Sequence, residues 1–160
     1  LLLPQVTVLT PNSLEARHLA QQENDPSESK LDLSLCAQRL LLMGCEYVLI
    51  TGTHENTQQV RNTLFASSGI IRTDDWERLE HTYHGSGCTL ASAIAASLAN
   101  GLSVSDSVLE AQDYTWHTLQ AGFRPGMGQY IPNRLFWAKD GEDNEGEHEE
   151  KEVIIEQPEN

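Results

Sequence analysis

Two glycines one residue apart, Gly85 and Gly87, stand directly ahead of a small-residue stretch that includes Ala91, Ser92, Ala93, Ala95, Ala96, Ser97 and Ala99. No other segment constrains the chain as tightly. Glycine admits backbone angles that a side chain forbids, so a Gly-Ser-Gly turn can aim successive N–H groups into one concavity. A helix from Cys88 to Asn100, ended by Gly101, adds its unpaired amides and positive dipole end. Such a turn suits an oxyanion or a phosphoryl group in flight. The small side chains let the helix pack closely against neighbours and lie deep in the fold. Cys88 falls in the first turn, where the dipole favours a thiolate that can accept a proton from an incoming hydroxyl. The same residues also read as a plain helix-entry turn with a small buried thiol, and spacing alone leaves both readings open.

Around this turn the pattern is α/β. Val6 to Thr10 reads as a strand, and Asn12 can cap a helix running to about Gln22. A second helix runs from about Leu33 to Met43, with Leu35, Leu40, Leu42 and Met43 available to the core and Gly44 as its stop. Tyr47 to Ile50 is a β-rich run ending in Thr51-Gly52-Thr53. Strand–helix–helix–strand order suits a parallel sheet with helical crossovers. Two further strands, Gln59 to Phe65 and Ile70 to Glu80, flank Ser67-Ser68-Gly69 and read as a hairpin or sheet edge. Ser103 or Ser105 starts another helix, to about Ala121, and Ile131 to Ala138 forms a short terminal element. Cys36 and Cys45 are expected as inert core thiols, and Trp116 and Trp137 as core or subunit contacts.

The stretch HGSGCTLASAIAASLANG, His84 to Gly101, resembles the signature HGTGCTLSAAIAA of hydroxymethylpyrimidine/phosphomethylpyrimidine kinases in the ribokinase-like superfamily. Most superfamily members carry Asp where this family carries Cys, so Cys88 makes the match discriminating. The resemblance extends over roughly Leu1 to Phe123. It implies a three-layer fold with a mostly parallel sheet, helices on both faces and an amino-terminal portion that precedes Leu1. It also implies ATP-dependent phosphorylation of a small-molecule aminopyrimidine alcohol and then of its monophosphate, in thiamine biosynthesis. Gly85, Ser86, Gly87 and Cys88 would form the catalytic turn, with Cys88 as base. A pyridoxal-type kinase shares the turn, and a non-catalytic truncated nucleotide-binding module is an alternative of another class.

Thr10-Pro11-Asn12-Ser13-Leu14-Glu15-Ala16 resembles the family's TPNLPEA. Asn12 and Glu15 lie one helical turn apart; Glu15 could hold hydrated Mg²⁺, with Asn12 on the nucleotide side. The plainer reading is a capping Asn with a dipole-complementing Glu. Val48 to His54 aligns with a strand ending in VKGGH, placing Thr51 and Gly52 at the nucleotide. Thr51 replaces the family's Lys, and Thr53 its second Gly. Because a cation near the phosphates stabilises charge in transfer, Arg78 is a candidate substitute. His54 reads as a surface residue or an indirect support. Ala111 and Tyr114 resemble the family's A-x-x-Y, in a region that borders adenine in related kinases, although packing explains both as well.

Composition narrows the partners. The chain has 160 residues, enough for one domain with a real core, and a formal net charge of −14. Residues 139–160 hold ten acids and two bases, leaving residues 1–138 at −6. Nucleic-acid binding is disfavoured, since phosphate contact needs clustered Lys and Arg. No apolar run approaches the ~20 residues of a bilayer span, so no membrane association is expected. Three cysteines without a CxxC pair argue for a reducing, cytoplasmic compartment. Residues 139–160 read as a disordered acidic tail, apart from a possible strand at Val153 to Ile155. A chain that opens without Met on an interior strand would leave a sheet edge exposed, and pairing into a homo-oligomer is one remedy.

Overall fold

The computed structural model describes residues 2–25, 27 and 30–141. The expectations for residues 142–160, including the strand at Val153 to Ile155, lie outside them. A short 3-10 turn at Leu3–Gln5 precedes β1 (Val8–Leu9), then come α1 (Ser13–Ala20), α2 (Leu33–Leu42) and β2 (Tyr47–Thr51). The hairpin of β3 (Gln59–Ala66) and β4 (Gly69–Glu77) follows. Two helices, α3 (Ser86–Ala99) and α4 (Val104–Gln120), and a 3-10 turn at Phe136–Gly141 complete the described chain.

Capping chemistry sets the helix starts. Asp32 Oδ1 accepts from the Ser34 and Leu35 amides, and the Ser103 hydroxyl accepts from the Asp106 amide, each satisfying a donor that the helix cannot. Ser103, rather than Ser105, is therefore the cap of α4. Helix α1 stops at Ala20, two residues short of expectation, because Gln21 leaves the helical region at φ −57° and ψ 136°.

The strands lie in the order β1-β2-β3-β4. Val8 pairs with Tyr47 and Leu9 with Val48 in parallel, as the two-helix crossover requires. β2–β3 and β3–β4 are antiparallel. The described sheet is therefore mixed rather than mostly parallel. The reason is length: the 52–58 connection has no helix to carry the chain across a face, so β3 must run back alongside β2.

Alternation along β2 divides the core. Val48 and Ile50, with Phe65 of β3, face α1 and α2 and meet Ala16, Ala20, Cys36, Ala37 and Leu40. Leu49 and Leu64 face the other way, onto Leu90 and Ile94 of α3 and Val108 and Ala111 of α4. Helices thus cover both faces. On α2 the buried positions are Cys36, Ala37 and Leu40, one helical face. Leu35, Leu42 and Met43 fall outside that face and are exposed, Leu42 at 87%. Cys36 and Cys45 are buried as expected, and burial pushes both thiols up in pKa.

Helix α3 departs from the expectation of depth. Only Thr89, Leu90 and Ile94 are buried, while Ala91, Ser92, Ala95, Ala96 and Ala99 are exposed. It rests on α4 and the sheet along one narrow stripe; Ala93 packs at the edge of that stripe, and Ser92, Ala96 and Ser97 line an open groove between α3 and α4. Trp137, at 55% exposure, belongs to the surface; half-buried Trp116 donates its indole N–H to the Glu77 carbonyl at 3.1 Å.

Candidate functional site

Gly85 is the N-cap of α3, with φ 86° and ψ 8°, left-handed angles that disfavour any side chain. Its carbonyl accepts from both the Thr89 amide, at 3.0 Å, and the Thr89 hydroxyl, at 2.8 Å, so the first helical turn is closed on itself. The concave side is open. Gly87 and Cys88 are exposed, Ser86 is half-buried, and a Cβ added to Gly87 would meet nothing within 4 Å. An interior turn with no access would have ruled out a role in phosphoryl binding. This one faces solvent, with the amides of the first helical turn and the dipole end available to an anion.

The chain after α4 returns to this turn, which the sequence did not reveal. Phe123 and Ile131 exchange backbone hydrogen bonds at 3.1 and 2.9 Å, and the Asn133 amide donates to the Thr118 carbonyl at 2.8 Å. Tyr130 pairs with the 82–84 segment leading into α3: its amide donates to the Thr82 carbonyl and its carbonyl accepts from the His84 amide. This strap delivers Arg134 to the glycine turn. Arg134 Nε donates to Thr89 Oγ1 at 3.1 Å, and Nη2 lies 3.2 Å from where a Cβ on Gly85 would stand. The strand expected from Ile70 to Glu80 ends at Glu77, and beyond it Tyr83 forms an isolated bridge with Tyr130.

Arg134, Thr89, Ala111 and Tyr114 line one open groove of about 460 Å³ between α3 and α4. Both residues of the A-x-x-Y pair therefore sit together beside the turn. Ala111 is also core, at 1% exposure, while the Tyr114 hydroxyl donates to the Arg134 carbonyl at 3.1 Å.

Asn12, Glu15, Thr51 and Gly52 form a second group at the end of β1 and β2. The Thr51 amide donates to the Pro11 carbonyl at 3.0 Å, and Asn12 and Thr51 pair as a parallel bridge. Asn12 and Glu15 make a capping box: Asn12 Oδ1 accepts the Leu14 and Glu15 amides, and Glu15 Oε2 accepts the Asn12 amide at 2.9 Å. The plainer reading of this pair thus has a full structural account. Among the described residues, no group of three or more His, Cys, Asp or Glu side chains could hold a metal ion. A single carboxylate still fits Mg²⁺, which takes most of its oxygens from water and substrate phosphates.

Gly52 is required by close approach, since a Cβ there would stand 2.3 Å from the Arg61 carbonyl oxygen. Arg78 does not serve as a free cation. Its three guanidinium nitrogens donate to the carbonyls of Thr53, Glu55 and Thr57, bracing the loop after β2. The same loop is tied to α1 by Arg17, which holds Glu55 at 2.6 and 3.0 Å. That contact depresses the Glu55 carboxyl to a pKa of about 2. His54 is exposed.

Among the described residues, no hydrogen bond or ion pair joins the two groups directly. A polar chain connects them instead. The Gly52 amide donates to Asn62 Oδ1 at 3.1 Å, and Asn62 Nδ2 donates to Gln112 Oε1 at 2.8 Å. Gln112 Nε2 donates to Asp74 at 2.9 Å, and Trp76 Nε1 reaches the same Gln112 oxygen at 3.1 Å. Arg72 grips Asp74 through two nitrogens and donates a third to the Ser105 carbonyl. The β2 turn is thereby indexed to α4, the helix that carries Ala111 and Tyr114.

Residues 1–133 match the sequence profile of the phosphomethylpyrimidine kinase family. A hydroxymethylpyrimidine/phosphomethylpyrimidine kinase of Streptomyces coelicolor is 37% identical across 79% of this chain and 46% of its own length. The kinase of that name from Rhizobium meliloti is 30% identical, covering 80% of this chain and 47% of its own. Among solved structures, the pyridoxal kinase of Staphylococcus aureus in complex with ADP is similar at a TM-score of 0.70 and 26% identity. That match covers 83% of this chain and 49% of that one. The α/β, ribokinase-like expectation holds, and the chain spans about half the length of the curated relatives it matches.

Proposed function

The chain belongs to the phosphomethylpyrimidine kinase family, and from that premise we propose that it carries the phosphoryl-handling half of an ATP-dependent kinase. The substrates in this reading are 4-amino-5-hydroxymethyl-2-methylpyrimidine and its monophosphate, in thiamine biosynthesis. The observation that carries it is the open Gly85–Cys88 turn heading α3, beside a groove lined by Ala111 and Tyr114.

The substrate oxygen forms a bond to the γ-phosphorus of ATP while the bond to the bridging β,γ-oxygen breaks and ADP leaves. The hydroxyl proton passes to the Cys88 sulfur, placed in the first turn of α3. The amides of Ser86, Gly87 and Cys88, unpaired within the helix, meet the charge on the moving phosphoryl group without reorganising. Glu15, with Asn12 ordering it, would hold hydrated Mg²⁺, which neutralises phosphate charge when bound. An exposed thiol at Cys88 suits a reducing, cytoplasmic setting. Among the described residues no helix is long and apolar enough to cross a membrane. Self-association belongs to the same reading, supported by exposed Leu14, Leu19, Leu135 and Trp137.

The likeness to a solved pyridoxal kinase favours one second reading, transfer to the hydroxymethyl group of a pyridine. A kinase assay offering the aminopyrimidine alcohol, its monophosphate and pyridoxal with Mg·ATP separates them. Faster turnover of the pyrimidines is expected; faster turnover of pyridoxal establishes the second reading. ATP binding with no transfer to any of the three would mark a non-catalytic nucleotide-binding module.

A further inference from the structure

Phosphoryl transfer at the Gly85–Cys88 turn gathers negative charge in one place, and backbone amides alone carry only partial positive charge. The described arginines divide clearly by what they touch. Arg17, Arg39, Arg61 and Arg72 are ion-paired, with Glu55, Asp25, Asp75 and Asp74 respectively. Arg78 and Arg124 direct their guanidinium groups at backbone carbonyls. Arg134 differs. It commits Nε to the Thr89 hydroxyl, and among the described residues no carboxylate lies within ion-pair distance of it.

Its placement is also fixed from behind. The strap is pinned at Ile131, Asn133 and the Arg134 carbonyl by bonds to Phe123, Thr118 and the Tyr114 hydroxyl. Thr89 holds the Nε edge while itself bound to the Gly85 carbonyl. The terminal nitrogen Nη2 is left beside Gly85, and Arg134 also lines the groove between α3 and α4. A guanidinium presented edge-on suits a pair of phosphate oxygens, which it can grip through two parallel N–H donors.

We propose that Arg134 is the cation of the phosphoryl site, its terminal guanidinium nitrogens binding the β- and γ-phosphate oxygens of a nucleoside triphosphate seated on the Gly85–Cys88 amides. The inference rests on the kinase reading above. It assigns a phosphate-binding role to a residue of the carboxy-terminal strap, outside every motif of the sequence. The strap then has a function of its own: it sets the position of one charge over the helix entrance.

Calorimetric titration of the 160-residue chain with ATP, ADP and AMP in Mg²⁺, alongside R134Q and R134K, tests this. In R134Q, ATP affinity should fall roughly tenfold to a hundredfold, the size of one lost charge-assisted contact, while AMP affinity stays within about twofold. R134K, which keeps the charge and loses the fork, should recover part of the loss, and the salt dependence of ATP binding should flatten in R134Q. Thermal melting of each variant reports folding separately. Equal ATP affinity in R134Q and the unaltered chain would overturn the role of Arg134 and leave the kinase reading standing. ATP and AMP weakened alike, with a lowered melting temperature, would show a bracing role only and also overturn it. An unaltered chain that binds no nucleotide would sink the kinase reading, and this inference with it.

Discussion

Gly85 and Cys88 do different work three residues apart. Gly85 supplies a left-handed backbone, and Gly85→Ala should destabilise the fold by about 1 kcal/mol from backbone strain, with a further loss where the methyl meets Arg134. Urea unfolding would measure it, and an unchanged midpoint would contradict the strained geometry. Cys88→Ala should instead leave stability within about 0.5 kcal/mol, because the side chain is exposed. In a turnover assay it should lower kcat on the order of a hundredfold, with the KM for ATP changed less than about threefold. An unaltered kcat removes Cys88 from the mechanism. The left-handed helix entry at Gly85 and the place of Cys88 in the first turn of α3 were legible in the sequence, since a glycine pair before an alanine-rich helix implies its own geometry. The placement of Arg134 beside Gly85 was not, because it depends on a strap whose hydrogen bonds reach back to Phe123, Thr118 and Tyr114.

At the level of elements, the polar chain from Gly52 through Asn62 and Gln112 to Asp74 is what aligns α4 with the β2 turn. Gln112 is buried and serves three partners, Asn62, Trp76 and Asp74. Gln112→Leu should cost about 2 to 3 kcal/mol in denaturant unfolding, because it strands buried polar groups rather than removing a contact cleanly. A loss below about 0.5 kcal/mol would mean that water replaces the network. Periodicity found the strands, the hairpin and the helices, and a cap residue marked the start of α1 at Asn12 and, as one of two candidates, of α4 at Ser103. It did not find the network, whose members are 10 to 50 residues apart and polar in strand or helix positions where burial is not expected. The exposure of Ala91, Ser92, Ala95, Ala96 and Ala99 on α3 has a related reason: small side chains permit close packing, but they do not say how much of the helix a neighbour covers.

Across the whole molecule, four of the described carboxylates, Asp25, Glu55, Asp74 and Asp75, are paired with arginines. The Arg17–Glu55 pair fastens the loop after β2 to α1, and Glu55 titrates near 2 instead of its usual 4.5. A carboxyl depressed in the folded state adds stability above its unfolded pKa and loses it as pH falls through the folded one. Stability should therefore decline between about pH 4.5 and pH 2, with this pair accounting for about 1 to 2 kcal/mol after solvent screening. Replacing both partners with apolar residues should flatten the pH–stability curve in that window, and an unchanged slope would contradict the assignment. The most direct test of the whole account is a ¹⁵N-resolved titration of the chain with Mg²⁺ and a non-hydrolysable ATP analogue. The amide resonances of Gly85, Ser86, Gly87 and Cys88 should shift and saturate together, while those of Ser67 and Ser68 at the β3–β4 tip stay in place. Silent turn amides, whether the analogue binds elsewhere or not at all, would contradict it.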